Sequence, residues 1–137
     1  MYFSRFGFTL IELLVVIAII GILASVILSS LNDAREEGIE AKIQTEMDSI
    51  AKRAAIEESQ SFTYDSVCGT NGTATSTTIL GLIGSINTLA SSTVTCNGSA
   101  AAYAVSVPLG TSHWCVDSLG QKSTIPNALT SGQLSCP

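Results

Sequence analysis

The sequence predicts an α+β fold, in which one long N-terminal helix packs on a small antiparallel β-sheet. Residues 8–31 are almost wholly apolar, and residues 32–60 mix charged side chains with a periodic apolar series. Beyond Ser59 the chain is rich in Ser and Thr, with turn signals and short alternating segments typical of strands. The 137 residues suffice for one domain of ordinary size.

The apolar segment 8–31 is compatible with three kinds of N-terminal element. A secretory signal peptide has a shorter apolar region and a small-residue cleavage site, a role for which Ala24-Ser25 is a poor candidate. A plain membrane anchor fits the length, because about 20 apolar residues span a bilayer. It does not explain Glu12, near the start of the run, since a carboxylate in a membrane helix costs roughly 2.5–3.5 kcal/mol at the bilayer centre and less near the interface. Such an acid indicates a functional site with a partner.

The third kind of element accounts for the acid. Gly7-Phe8-Thr9-Leu10-Ile11-Glu12 and the apolar run that follows closely resemble the class III signal sequence of type IV pilins and type II secretion pseudopilins. The resemblance is strong over residues 7–31 and weak in the C-terminal segment. It implies the type IV pilin fold, with cleavage by a prepilin peptidase between Gly7 and Phe8 and N-methylation of Phe8. It also implies a precursor in the cytoplasmic membrane, which assembly machinery moves into an extracellular filament.

The same resemblance provides a partner for Glu12. Cleavage frees the α-amino group of Phe8, whose ordinary pKa of about 7.7–8 leaves it mostly cationic at neutral pH. Glu12 is then able to pair with the amine of a neighbouring copy. Because a buried ion pair adds little net stability while an unpaired buried charge is costly, we expect this pair to set the axial register of each subunit.

The helix is predicted to continue beyond the apolar run and to end near residues 58–61. One apolar face recurs at helical spacing: Ile39, Ile43, Met47, Ile50 and Ala54. About 50 residues at 1.5 Å each make a rod of roughly 75 Å. Since a domain of this size covers only part of it, the first half is expected to bury itself in lipid or against other copies.

These patterns divide the chain into four parts. Residues 1–7 form the predicted leader peptide, and 8–31 the membrane and filament-core half of the helix. Residues 32–60 form its amphipathic half, and 61–137 form a β-rich head. Strands are expected within 101–107, 113–118 and 121–125, with turns at Asn71-Gly72, Asn97-Gly98 and Pro108-Leu109-Gly110, and an apolar packing element of undetermined type at 79–83.

All four cysteines lie in the head: Cys68, Cys96, Cys115 and Cys136. Without a C-x-x-C spacing they indicate disulfides in an oxidising compartment rather than a zinc or redox motif. Three pairings are open. We favour Cys68–Cys96 with Cys115–Cys136, because each closes a separate local loop.

Other functional classes find little support. The net charge of −5, with dispersed basic residues, argues against binding nucleic acid. No nucleophile–base, metal or phosphate motif indicates an enzyme or a cofactor. Asp65 and Asp117 are too few acids for calcium, and the single histidine, His113, is expected to be an ordinary strand residue.

The leading prediction is therefore a self-assembling subunit of a type IV pilus that serves adhesion, twitching motility or DNA uptake. The alternative within the same family is a pseudopilin of a type II secretion system. A tethered enzyme or solute-binding domain is the rival from a different class.

Overall fold

The computed structural model describes residues 7–69 and 72–137, so residues 1–6 of the predicted leader lie outside it. By their contacts the residues form two compact units, one ending at Glu37 and one beginning at Gly38. Helix α1, Leu10–Ser61, contributes to both. Its C-terminal end falls in the range predicted from the sequence.

The unit that begins at Gly38 combines helices with one antiparallel sheet. Two helices follow α1: α2 (Asp65–Cys68) and α3 (Thr77–Ala90). Among the described residues the sheet has four strands in the order β1-β2-β3-β4: β1 (Thr95–Gly98), β2 (Tyr103–Leu109), β3 (Ser112–Asp117) and β4 (Lys122–Ile125). A long N-terminal helix packed on a small antiparallel sheet confirms the α+β prediction and is the architecture of the type IV pilin fold.

The core of this unit lies between α1, α3 and the sheet. The predicted face of α1 supplies Ile43, Met47, Ile50 and Ala54, all buried, while Ile39 packs at the edge. It meets inward-facing side chains of the sheet and of α3: Val105, Val107, Val116, Ile79 and Ile86. The sheet therefore covers one face of α1, which confirms the helical periodicity of the sequence.

The apolar element at 79–83, whose secondary structure the sequence leaves open, is part of helix α3. The hydroxyl of Ser76, just before α3, donates to Glu57 Oε1 at 2.8 Å, and the hydroxyl of Ser85 donates to Glu46 Oε1 at 3.0 Å. Because these contacts meet α1 in reverse sequence order, α3 runs antiparallel to α1. The Ser76 hydrogen bond, with help from Arg53, lowers the pKa of Glu57.

The turn between β2 and β3 differs from the prediction, which placed Pro108 in it. Strand β2 continues to Leu109, and the two-residue turn starts at Gly110 with φ 58°. Leu109 pairs with Ser112 as the closing, hydrogen-bonded pair, so Pro108 occupies the next, non-hydrogen-bonded position of that ladder. Its nitrogen faces the β1 side, where pairing stops at Ser106, and the missing N–H therefore breaks no ladder bond.

The predicted turn at Asn97-Gly98 is also wrong, because both residues lie in β1. The Asn97 amide donates to the carbonyl oxygens of Thr130 and Gln133 at 2.7 and 3.0 Å. A Cβ on Gly98 would lie 2.7 Å from Cys68 Cβ. These residues therefore serve close packing rather than chain reversal. Of the other predicted turn, Asn71 lies outside the described residues, and Gly72 has φ 74°.

Two disulfides link separate segments of the head. Cys68–Cys96 joins α2 to β1, and Cys115–Cys136 joins β3 to the C-terminal segment. This is the pairing favoured by the sequence analysis, and all four sulfur-bearing residues are buried. A disulfide typically adds about 2–4 kcal/mol to the stability of a small domain.

Asp117 is a buried acid that organises the end of the sheet. Its side chain is 1% exposed. Oδ1 accepts the backbone N–H groups of Leu119 and Gln121 at 3.0 and 2.9 Å, and Oδ2 accepts that of Cys136 at 2.8 Å. One carboxylate therefore ties the β3–β4 turn to the C-terminal disulfide.

Replacing Asp117 is expected to destabilise the head strongly. Asp117→Ala leaves these backbone donors without their acceptor, which should lower the free energy of unfolding by about 3 kcal/mol. The matched control is Asp65→Ala, since Asp65 is exposed and should shift stability by less than about 0.5 kcal/mol. Denaturant unfolding of the non-reduced full chain in detergent measures both, and equal losses would contradict the role assigned to Asp117.

Candidate functional site

The candidate site lies at the start of α1, where Phe8, Thr9 and Glu12 meet. Helix α1 begins at Leu10, so Thr9 occupies the N-cap position and Glu12 the third helical position. Threonine suits this position, because a side-chain oxygen at the N-cap accepts one of the free N–H groups of the first turn. An acid three residues later is favoured by the positive end of the helix dipole.

Thr9 and Glu12 form a reciprocal capping box. The Thr9 hydroxyl and the Thr9 backbone N–H both donate to Glu12 Oε2, at 2.6 and 2.9 Å. In return the Glu12 N–H donates to Thr9 Oγ1 at 3.3 Å. The partner predicted for Glu12 from the sequence lies on another copy, whereas Thr9 is a partner within the chain. The T-x-x-E spacing before an apolar run was the signal that would have revealed this partner within the chain.

The capping box occupies one carboxylate oxygen and leaves the other available. Within the described residues, Oε1 of Glu12 accepts no hydrogen bond. A shallow groove of about 340 Å³ beside it is lined by Phe8, Ile11, Glu12, Val15 and Val16. An oxygen with free lone pairs on this apolar surface is a suitable acceptor for a cationic group.

The helix around this carboxylate is apolar on every side. Leu10 is 82% exposed, Ile22 67% and Leu31 60%. A helix that is hydrophobic all round has to be buried by lipid or by other chains. Among the described helices, α1 is the one with the length and apolar composition needed to cross a membrane.

The predicted cleavage site lies before the first residue of the helix, outside regular secondary structure. Gly7, Phe8 and Thr9 precede the first helical residue, and Phe8 is 82% exposed. A Cβ placed on Gly7 would contact nothing within 4 Å among the described residues. The peptide bond between Gly7 and Phe8 is therefore accessible and free of secondary structure.

The other residues considered in the sequence analysis do not assemble into a second site. The oxygens of Asp117 bind backbone N–H groups, while Asp65 is exposed at the start of α2. Within residues 7–69 and 72–137, no group of three or more His, Cys, Asp or Glu side chains is arranged to hold a metal ion. His113 is half-buried in β3.

A family model described as the prokaryotic N-terminal methylation motif matches residues 3–28. Comparisons with curated proteins and with solved structures found no match. The motif confirms a class III signal sequence of the kind found in type IV pilins and pseudopilins, over less than a quarter of the chain. A prepilin-type motif implies processing by a prepilin peptidase and assembly into a pilus-type structure. With the apolar helix, it indicates a membrane-anchored precursor.

Removing the Thr9 hydroxyl should weaken the start of α1. Thr9→Val keeps the shape of the side chain but eliminates the cap, at a cost of about 1 kcal/mol, whereas Thr9→Ser retains it. Amide hydrogen exchange at residues 10–13 of the full chain in detergent is expected to accelerate several-fold in the valine variant alone. Equal exchange in both variants would show that the hydroxyl does not hold the helix start.

Proposed function

We propose that this chain is the structural subunit of a type IV pilus, polymerising through α1 into an extracellular filament. The observation that carries the proposal is Glu12: a single carboxylate, held by Thr9 at the start of an exposed apolar helix, inside an N-terminal methylation motif. This site supports a structural role, because its chemistry is recognition of a charge and burial of apolar surface.

Processing provides the charge that Glu12 is proposed to recognise. A prepilin peptidase cuts between Gly7 and Phe8, and Phe8 is then N-methylated. The new amine is a cation at neutral pH, because methylation of an amine preserves its basicity. Cleavage also removes the leader and exposes this amine beside the groove on the helix start.

The apolar segment 8–31 is proposed to exchange one apolar environment for another. In the precursor its side chains lie in lipid, and in the filament they pack against the same segments of other copies. Since lipid tails and neighbouring helices are similarly apolar, the transfer involves little change in hydrophobic free energy. Assembly machinery then has to provide mainly the work of extraction.

Glu12 is proposed to fix where each copy stops. A carboxylate moved into a filament core without a cation is strongly destabilised, whereas a paired one is tolerated. Oε1 is free to accept the Phe8 amine of a neighbouring copy while Oε2 stays in the capping box. The ion pair therefore forms at one axial position, which defines the register of the assembling helix.

The head is proposed to form the outer surface of the filament. Its disulfides fit an oxidising, extracytoplasmic compartment. Adhesion, twitching motility and DNA uptake are the activities that such filaments serve. A pseudopilin of type II secretion shares the N-terminal motif, and the cellular location of the filament separates the two.

Mass spectrometry of sheared surface filaments tests the assignment. The dominant chain is expected to start at N-methylated Phe8 and to have the mass of the oxidised polypeptide with both disulfides. Recovery of the processed chain only from a periplasmic fraction would assign it to a pseudopilus instead. An intact Met1 in the fibres, or absence of the chain from them, would overturn the proposal.

Glu12→Ala tests the register role separately. The processed subunit should accumulate in the membrane at its usual level, while filament yield falls at least tenfold because the Phe8 amine has lost its partner. Glu37→Ala is the matched control, since it removes an exposed acid of the same helix outside the apolar run. Quantitative immunoblots of membrane and filament fractions measure both, and normal incorporation of the Glu12 variant would refute the register role.

A further inference from the structure

Phe62 has an unusual backbone conformation directly after α1. Its φ is 57°, in the left-handed region where the Cβ of an L-residue crowds the backbone. A bulky aromatic residue is rarely found there, and helices usually place Gly or Asn at this position. The ring is 87% exposed, so burial within the subunit does not offset the strain.

The neighbouring hydrogen bonds hold Phe62 in this conformation. Its N–H donates to the Glu58 carbonyl at 2.6 Å. The Ser61 hydroxyl lies 2.8 Å from the Glu57 carbonyl and 3.0 Å from the Thr63 carbonyl, and the Asp65 N–H donates to Thr63 Oγ1 at 2.9 Å. Because the backbone that carries the ring is already fixed, less conformational entropy is lost when a partner binds it.

Elsewhere in the chain, positions with a positive φ are occupied mainly by glycine. Positive φ values between 58° and 79° elsewhere in the head belong to glycines: Gly69, Gly72, Gly110, Gly120 and Gly132. Ser91, the other described exception, has a small side chain. A phenylalanine at 62 is therefore not explained by the need to end the helix, and an exposed aromatic ring is typical of a contact with another chain.

The outward side of α3 is suited to receive this ring. The sequence has no Asp, Glu, Lys or Arg between Asp65 and Asp117, so α3 itself carries no charged side chain. Leu80 is 48% exposed there. Gly81 and Gly84 leave open space, since a Cβ at either position would meet no described atom within 4 Å. An exposed leucine beside two positions without side chains gives a phenyl ring an apolar surface on which to pack.

We propose that Phe62 of one copy packs on Leu80, Gly81 and Gly84 of a neighbouring copy; this contact rests on the proposed assembly into a filament. The hydrogen bonds of Ser76 and Ser85 to Glu57 and Glu46 place both glycines alongside α1 between those two acids. Phe62 directly follows α1. Along the helix axis it lies about 15–20 Å from the two glycines, at 1.5 Å per residue.

This separation determines what kind of assembly the contact builds. The ring and the surface that receives it are different patches of the same subunit, at different heights along α1. Such a heterologous contact repeats from copy to copy and generates an open helical filament rather than a closed dimer. The contact therefore adds a specific head-to-head link to the association of the apolar helices.

Photo-crosslinking identifies the partner directly. A benzoylphenylalanine at position 62, in filaments assembled from the otherwise unchanged chain, is expected to yield covalent dimers. Peptide mapping should place the second attachment within residues 77–90. Attachment to a different protein, attachment to another segment of the chain, or recovery of monomers alone would each overturn the proposal.

Substitution separates the contact from a role in folding. Phe62→Gly suits the left-handed backbone, so the melting temperature of the full chain in detergent should equal or exceed that of the wild type. Filament yield after shearing should nevertheless fall at least fivefold, and Phe62→Tyr should restore it. Leu119→Ser is the matched control, because Leu119 is 82% exposed and lies in the β3–β4 turn.

These experiments separate failure of the Phe62 contact from failure of the proposed filament function. If the wild-type chain forms filaments and the Phe62→Gly variant does so with normal yield, the proposed contact is refuted. The proposal that the chain is a filament subunit then still stands. A wild-type chain that never enters filaments would overturn both. Loss of yield in the Leu119 control as well would show that the assay reports general surface hydrophobicity, and would also overturn the contact.

Discussion

The burial of helix α1 is the constraint on which the rest of the molecule depends. From Ile43 to Ala54 one face of the helix meets the sheet and α3, so the chain itself removes these side chains from water. From Leu10 to Leu31 the side chains are exposed in every direction. A segment this apolar is stable only in lipid or among copies of itself. The same helix therefore supplies one face to the core of the head and an apolar segment that requires a partner or lipid.

In the proposed filament, Glu12 makes the association of these helices specific. Apolar helices slide past one another with little change in energy, because hydrophobic contact has no direction. A carboxylate in the same surface has a strong preference for one position, where it meets a cation. The capping box with Thr9 reconciles that requirement with the membrane stage, since it binds one oxygen before any partner is present. The side chain that caps the helix is thus also the one proposed to recognise a neighbouring copy.

Two disulfides and a buried carboxylate hold the head together around an unfavourable backbone conformation. The buried carboxylate of Asp117 and the disulfide Cys115–Cys136 hold the end of the sheet against the C-terminal segment. Cys68–Cys96 holds α2 so close to β1 that Gly98 has no room for a side chain. With this framework in place, the head tolerates the strained backbone of Phe62 and presents its ring to the outside.

Periodicity and composition were enough to predict α1 and the fold class, and the resemblance of residues 7–12 to a class III signal sequence identified the motif around Glu12, because all of these features are local in the sequence. The tertiary structure decided what depends on distant neighbours. It selected one disulfide pairing among three, placed Asn97 and Gly98 in a strand against Cys68, and extended β2 through Pro108 beyond the end of β1. Turn propensities describe a residue with its sequence neighbours, whereas a strand is determined by the segment that pairs with it.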